Sequence, residues 1–248
     1  MRKKPVGYRP ILGISNAKTI KGEKLGWITG ICYLSPADES GVMDTCRSAS
    51  PECKELCLRK SGRMPMNVAT RIAKTMLLVT NRELFLECLR YDIEKLVRKA
   101  RKAGMRACVR INGTSDLAWI ALLMAAEYPQ VKFYDYTKHV KAEQRVRKNY
   151  HLTFSYSGHN LEEALRVLAL GINVSVVFNV KRGEKLPATW RGYRVSDGDR
   201  HDLRFLDRKG VVVGLRAKGV ARGKTCAFVV DPRPAPALVQ IMPMAAAA

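Results

Sequence analysis

Acidic side chains are scarce in this sequence: 22 Asp and Glu stand against 44 Lys and Arg among 248 residues, a formal net charge of +22. Such a surface repels itself and attracts phosphate polyanions. A nucleic acid or nucleotide is therefore the expected partner, with an anionic membrane surface the weaker alternative. Long apolar runs are missing as well. No stretch approaches the roughly 18 consecutive apolar residues that suggest a membrane span, so no membrane partner is expected. The opening MRKKPVGYRP is basic but lacks an apolar h-region, so a secretory signal is not expected and the chain is placed in the cytoplasm. There disulfides are rare, and an odd count of seven cysteines fits reduced thiols. Internal repeats are absent too, and the oligomeric state is not legible.

What is present has a regular beat. ELFLECLRYDIEKLVRKARKAG carries Leu84, Phe85, Cys88, Leu89, Ile93, Leu96 and Val97 at helical spacing, with Gly104 as a stop. RACVRIN (106–112) reads as a strand, SDLAWIALLMAAEYP as a helix with Ser115 as N-cap, and VKFYDY (131–136) as a strand. HVKAEQRVRKN reads as a short basic helix and HLTFSY (151–156) as a strand. NLEEALRVLALG reads as a helix between Asn160 and Gly171; VSVVFN (174–179), VVVGL (211–215) and CAFVV (226–230) read as strands. Strands alternating with helices predict βαβ units and a parallel sheet. NGTSDL, after the first of these strands, lacks the GxGxxG of a dinucleotide-binding fold. The expected fold class is α/β: a complete or partial β/α barrel, with an open α/β sheet as the alternative. One domain is expected over 8–230, followed by a frayed Pro/Ala-rich tail, 231–248.

In both architectures the working site lies at the C-terminal ends of the strands. The strands lead into Asn112, Thr114, Ser115 and Asp116; Asp135, Thr137, Lys138 and His139; Ser155, Ser157 and His159; Asn179 and Lys181; and Arg216 and Lys218. If they converge, Asn112, Ser115, Ser155, Asn179, Arg216 and Lys218 are the candidate substrate-binding groups. Asp116, Asp135 and Lys138 are the candidate catalytic groups, with either aspartate suited to acid–base work. Each has a plainer reading. Ser115 and Asp116 suit a helix start, Asn112-Gly113 is a common turn, and scattered histidines are more often structural.

Asp197, Asp199, Asp202 and Asp207, with His201, form the densest acidic cluster of the chain. It could hold Mg²⁺ against a phosphate, as in a nuclease, or be a solvated turn paired with Arg200, Arg204 and Arg208. The basic residues gather at helix ends, as at Lys95, Arg98, Lys99, Arg101 and Lys102, where the helix dipole favours them. The total exceeds that need.

Three cysteines, Cys46, Cys53 and Cys57, fall in CRSASPECKELC with the spacing C-x6-C-x3-C. On a helical turn Cys53 and Cys57 would share a face. With Cys32 or a distant histidine the three would complete a tetrahedral zinc site. Alone, they could hold a four-iron cluster with one iron open to a small cofactor. The third reading is free, reduced thiols. Cys88, Cys108 and Cys226 sit in apolar patterns and read as core.

ILGISNAKTIKGEKLGWITGICYLSPAD, CRSASPECKELCLRKSGR, VRINGTSDL, FYDYTK, YHLTFS and DLRFLD resemble, in order, the phage "gene product 88" family, over roughly 8–230. The resemblance implies a mobile-element protein of a bacterial host cell and no particular reaction. More distantly, the cysteine segment is similar to that of the Gp37/Gp68-type phage proteins, which look like relatives of radical S-adenosylmethionine enzymes. That likeness implies a partial β/α barrel whose first strand is WITGICYL, with Cys46, Cys53 and Cys57 binding an iron–sulfur cluster and S-adenosylmethionine as a cofactor. The spacing departs from the C-x3-C-x2-C of those enzymes. Three functional expectations follow: an iron–sulfur enzyme modifying a nucleic acid or nucleotide, a non-enzymatic nucleic-acid-binding protein with structural zinc, and a Mg²⁺-dependent nuclease.

Overall fold

The computed structural model describes residues 2–14 and 17–233; most of the tail expected to fray, from 234 onward, lies outside the described residues. In chain order the elements are β1 (Leu12–Gly13), α1 (Ala17–Glu23), β2 (Trp27–Cys32), α2 (Pro51–Glu55), α3 (Val68–Thr80), α4 (Arg82–Lys102), β3 (Arg106–Arg110) and α5 (Ala118–Glu127). They continue with β4 (Lys132–Thr137), β5 (Tyr150–Ser155), α6 (Leu161–Ala169), β6 (Val174–Phe178), β7 (Thr189–Trp190), β8 (Tyr193–Asp197), β9 (Val212–Arg216) and β10 (Val229–Val230).

The strands form one ten-stranded sheet in the order β1-β2-β3-β4-β5-β6-β9-β8-β7, with β10 beside β6. Strands β2 to β6, β9, β8 and β10 pair in parallel; β1 and β7 are antiparallel to their neighbours. The sheet is open, which corrects the expectation of a complete barrel and agrees with the open-sheet alternative. Closure would need the outer edges of β2 and β9 to meet. Instead β1 lies on the edge of β2 and β8 on that of β9.

Because β2 to β6 follow chain order, right-handed crossovers place their helices on one face. There α4 and α5 bury Phe85, Leu89, Ile93, Ile120 and Met124 against Ile28, Val109, Phe133 and Leu152. Helix α6 buries Ala164, Val167 and Leu168 against Phe154, Val174 and Val176. Each of these valine, leucine, isoleucine, phenylalanine and methionine side chains contributes about 1.5–3 kcal/mol. On the opposite face Leu203 and Phe205 cover Trp27, Cys108 and Tyr134. Among the described residues no helix is long and apolar enough to cross a membrane.

Helix α4 matches its sequence pattern: the Asn81 side chain accepts the Leu84 N–H (3.0 Å), and Gly104 ends the run at φ +65°. Two expectations need correction. The basic helix expected over 139–149 is only a 3-10 turn, Ala142–Arg145, because Lys141 is left-handed (φ +56°) and Arg147 bridges to Tyr150. Ser115 does not cap α5, which starts at Ala118; its hydroxyl donates to Asn112 Oδ1 (2.9 Å), and that oxygen also takes the Leu117 N–H (2.8 Å).

Candidate functional site at the strand ends

Strand β2 ends at Cys32, and the chain then runs through a long segment to α2. Hydrogen bonds stitch that segment to the turn between β3 and α5. Gly113 N–H donates to Cys32 O (3.0 Å), Thr114 Oγ1 to Leu34 O (2.5 Å) and Asp116 N–H to Thr45 O (2.8 Å). The contact at Gly113 admits no side chain, since a Cβ there would stand 2.6 Å from Cys32 O. The Cys46 thiol then meets Thr114 O at 3.4 Å.

Ser50 caps α2 by accepting the Cys53 N–H (3.2 Å), and its hydroxyl donates to Ser157 O (2.8 Å), fastening the cysteine segment to the end of β5 as well. Cys53 lies in α2, but that helix stops at Glu55 and Cys57 is extended (ψ 141°). The shared helical face expected for this pair is therefore not formed.

Lys138, at the end of β4, joins the corner. Its backbone N–H donates to Asp116 Oδ2 (2.8 Å), and His139 Nε2 lies 3.0 Å from Asp116 O. Burial works to lower the Lys138 ammonium, but Cys53, Asp116 and Cys46 beside it hold it above its usual range. Burial raises the Cys46 and Cys57 thiols, with Lys138 pulling both the other way. The three cysteines, Lys138 and Asp116 thus occupy one corner of the rim.

All seven cysteines are free thiols. Among the described residues no three His, Cys, Asp or Glu side chains are placed to hold one metal ion. Tetrahedral zinc at 2.3 Å from each sulfur needs sulfurs about 3.8 Å apart. Cys32, one of the two fourth ligands considered beside a distant histidine, is fully buried in the helix-side core, where burial pushes its thiol up to about 12. That position in the core keeps Cys32 away from the three cysteines of the rim.

Asp135 stands apart from the solvent. It alternates with Tyr134 and Tyr136 along β4, shares the helix-covered face with Phe133, and is 1% exposed. Its carboxylate accepts from Asn112 N (2.7 Å), Asn112 Nδ2 (3.0 Å) and Tyr150 Oη (3.1 Å). Burial pushes its pKa up to about 7, against the pull of these donors and Arg110. Asp135 thus orients Asn112, which through Ser115 and Leu117 shapes the turn carrying Thr114 and Asp116.

The other candidates lie along the rim. Ser155 accepts a 3.2 Å bond from Ser175, and Asn179 Nδ2 donates to Thr225 Oγ1 (3.0 Å). Arg216 and Lys218 are tied to carboxylates: Arg216 Nη1 lies 3.0 Å from Asp197 and 3.4 Å from Asp199, and Lys218 Nζ lies 2.5 Å from Asp199. Asp202 pairs with Arg110 (3.1 Å) and accepts from Tyr134 Oη (3.2 Å). The acidic cluster that could hold Mg²⁺ or pair with arginines is therefore engaged by cations: Arg204, one of the three expected from sequence, lies 3.3 Å from Asp207, while Arg216, Lys218 and Arg110 take the other carboxylates.

Beside Lys138 a cleft of about 400 Å³ opens, lined by Arg47, Ser48, Glu52, Ser157, His159 and Asn160 among others. His159 Nε2 meets Glu52 at 2.9 Å. Sequence reasoning passed over Arg47 and Glu52; their signal was their place between the three cysteines.

Fold and rim define a class: an open α/β protein with a polar cleft, lined by Arg47, Lys138 and His159, beside three free thiols at the ends of its parallel strands. The chain belongs to the gene product 88 family of phage proteins, whose family model matches residues 10–232. That match names no reaction. No curated protein and no solved structure matches the chain.

Proposed function

We propose that the protein is an enzyme that modifies a nucleic acid or nucleotide in the cleft beside Lys138, with Cys46, Cys53 and Cys57 as the thiolate ligands of an iron–sulfur cluster. The observation that carries this reading is the convergence at the strand ends. The cysteine segment follows the first parallel strand, and the Lys138 ammonium stands among Cys46, Cys53 and Asp116 at the mouth of an open cleft. When bound, a cluster on three thiolates offers one open iron to a small cofactor such as S-adenosylmethionine. The chain's own groups do the rest. Arg47 and Lys138 attract the anionic substrate, Asp116 holds the Lys138 backbone, and Asp135 fixes the Asn112 turn from behind.

The test is purification without oxygen, followed by a visible spectrum and assays for iron, sulfide, zinc and S-adenosylmethionine cleavage, with Cys46→Ala, Cys53→Ala and Cys57→Ala alongside. A brown protein with about four irons, lost in all three variants, is the expected result. A colourless, folded protein with no iron overturns the cluster. An intact cluster that does not cleave S-adenosylmethionine overturns the radical version.

A further inference from the structure

A second groove lies away from the cysteine corner, between β1 and the C-terminal half of α4. It measures about 540 Å³. Leu12, Ile14 and Leu96 line it, and Lys95, Arg98, Lys99 and Lys102 also face it. These four sit at i, i+3, i+4 and i+7, so they form one stripe on one helix face, about 10 Å long at 1.5 Å rise per residue. Lys95, Lys99 and Lys102 are exposed and Arg98 is half-buried. Among the described residues none of the four is held by an ion pair, although Glu94 on the same helix is 3.4 Å from Arg2. The one carboxylate lining the groove, Asp92, is 7% exposed and occupied by Tyr8 Oη (2.6 Å), Ile11 N (2.7 Å) and Leu12 N (3.0 Å).

Helix-dipole stabilisation accounts for cations in the last turn of a helix and fades beyond it. Lys95 and Arg98 lie one to two turns earlier. Four uncompensated cations along a recessed groove repel one another, and a chain of phosphates relieves that repulsion. A membrane surface is the poorer fit, because membrane-binding helices present protruding apolar side chains beside their cations. No large apolar side chain of α4 is exposed, and the apolar residues here line a recess.

We propose that this groove binds the sugar–phosphate backbone of a nucleic acid, with Lys95, Arg98, Lys99 and Lys102 as its phosphate contacts. It rests on the reading above only in taking nucleic acid as the partner. The groove reads charge and not sequence, and it holds the polymer at a distance from the cleft.

The experiment compares two quadruple alanine variants of the full chain. One replaces Lys95, Arg98, Lys99 and Lys102. The other replaces the exposed cations Lys24, Arg182, Lys185 and Arg208, so both fall from +22 to +18. Binding of a labelled 20-base-pair DNA, the matching RNA duplex and vesicles of anionic lipid is measured across a series of KCl concentrations. For duplex DNA each phosphate contact contributes about 0.9 to the slope of log K against log salt. The groove variant should lose about 2 to 4 from that slope and bind at least about tenfold more weakly than the control at low salt. Equal losses in the two variants overturn the groove and leave nucleic acid as the partner. Absence of wild-type binding to either duplex at low salt overturns the partner itself. Vesicle binding that depends on the groove while duplex binding does not makes the surface a lipid one and overturns the proposal.

Discussion

Asp135 takes both the backbone N–H and the side-chain amide of Asn112, at 2.7 and 3.0 Å, and so sets the turn that carries Thr114 and Asp116 to the cysteine segment. Tyr150 Oη is the third donor, at 3.1 Å. Asp135→Ala would leave three buried donors without an acceptor, each worth about 1–3 kcal/mol. The expected loss is about 3 kcal/mol or more. Tyr150→Phe, which removes a single donor, should lose about 1 kcal/mol. Urea midpoints at constant m-value decide this; equal losses would show that the carboxylate does not organise the turn.

His151 lies on β5 with its Nε2 buried and without a partner among the described residues. Burial lowers its pKa from 6.5 to about 4, with Lys132, Arg204 and Lys209 adding to the effect. The folded state therefore resists protonation that the unfolded chain accepts. The stability this contributes is complete above about pH 6.5 and is lost as pH falls through about 4. The shift corresponds to about 3 kcal/mol. His151→Gln does not titrate, so its stability should fall less than wild type between pH 7 and pH 4.5. Parallel urea curves at the two pH values would refute the assignment.

Glu39 and Arg71 form the deepest ion pair described between α3 and the segment after β2. Arg71 is 1% exposed and grips both Glu39 oxygens at 2.8 and 2.9 Å, with a further bond to Met64 O at 2.6 Å. Glu39→Ala would strand a buried guanidinium, at a cost of about 3–5 kcal/mol. Replacing both together, Glu39→Leu with Arg71→Met, should recover most of that loss, since paired burial of charge contributes little net stability. Thermal unfolding of the single and double variants tests the sign; a double variant no better than Glu39→Ala contradicts it.

The elements legible in sequence were those governed by local pattern. Phe85, Leu89, Ile93 and Leu96 repeat at helical spacing along α4 and are all buried. The apolar runs of β3 to β6 read as strands because helices cover one face and Leu203 and Phe205 part of the other. Helix α3 escaped because its buried positions include Arg71 and Thr75, which look solvated until Glu39 arrives from a segment 32 residues away. The β7–β8 pair escaped because only Trp190 of its seven residues is buried, so it carries no alternating apolar signal. At the rim the residue types were readable but their partners were not. Asp197 and Asp199 look like a free acidic cluster until Arg216 and Lys218 close on them from β9 and the loop beyond it. The barrel expectation failed for a similar reason, because β1 is only two residues long and carries no readable strand pattern.

Gly113 offers the sharpest test of the link between the two halves of the cysteine corner. A Cβ there would stand 2.6 Å from Cys32 O and 2.7 Å from both Ile31 Cγ2 and Tyr33 Cδ1. Cys32 O is the acceptor of the Gly113 N–H, so the backbone oxygen cannot retreat without losing that bond. Gly113→Ala should therefore cost about 2–3 kcal/mol through overpacking. It should also move Thr114 O away from the Cys46 thiol. Gly183 is the control: its φ is +95° with open space around it, so Gly183→Ala pays only backbone strain, about 1 kcal/mol. Thiol labelling of the reduced protein separates the two effects. Cys46 should react several-fold faster in Gly113→Ala than in wild type, and at the wild-type rate in Gly183→Ala. Unchanged labelling in Gly113→Ala, together with a full loss of stability, would mean that the turn gives way without disturbing the cysteine segment. The hydrogen bonds between them would then hold the fold but not the position of the thiols.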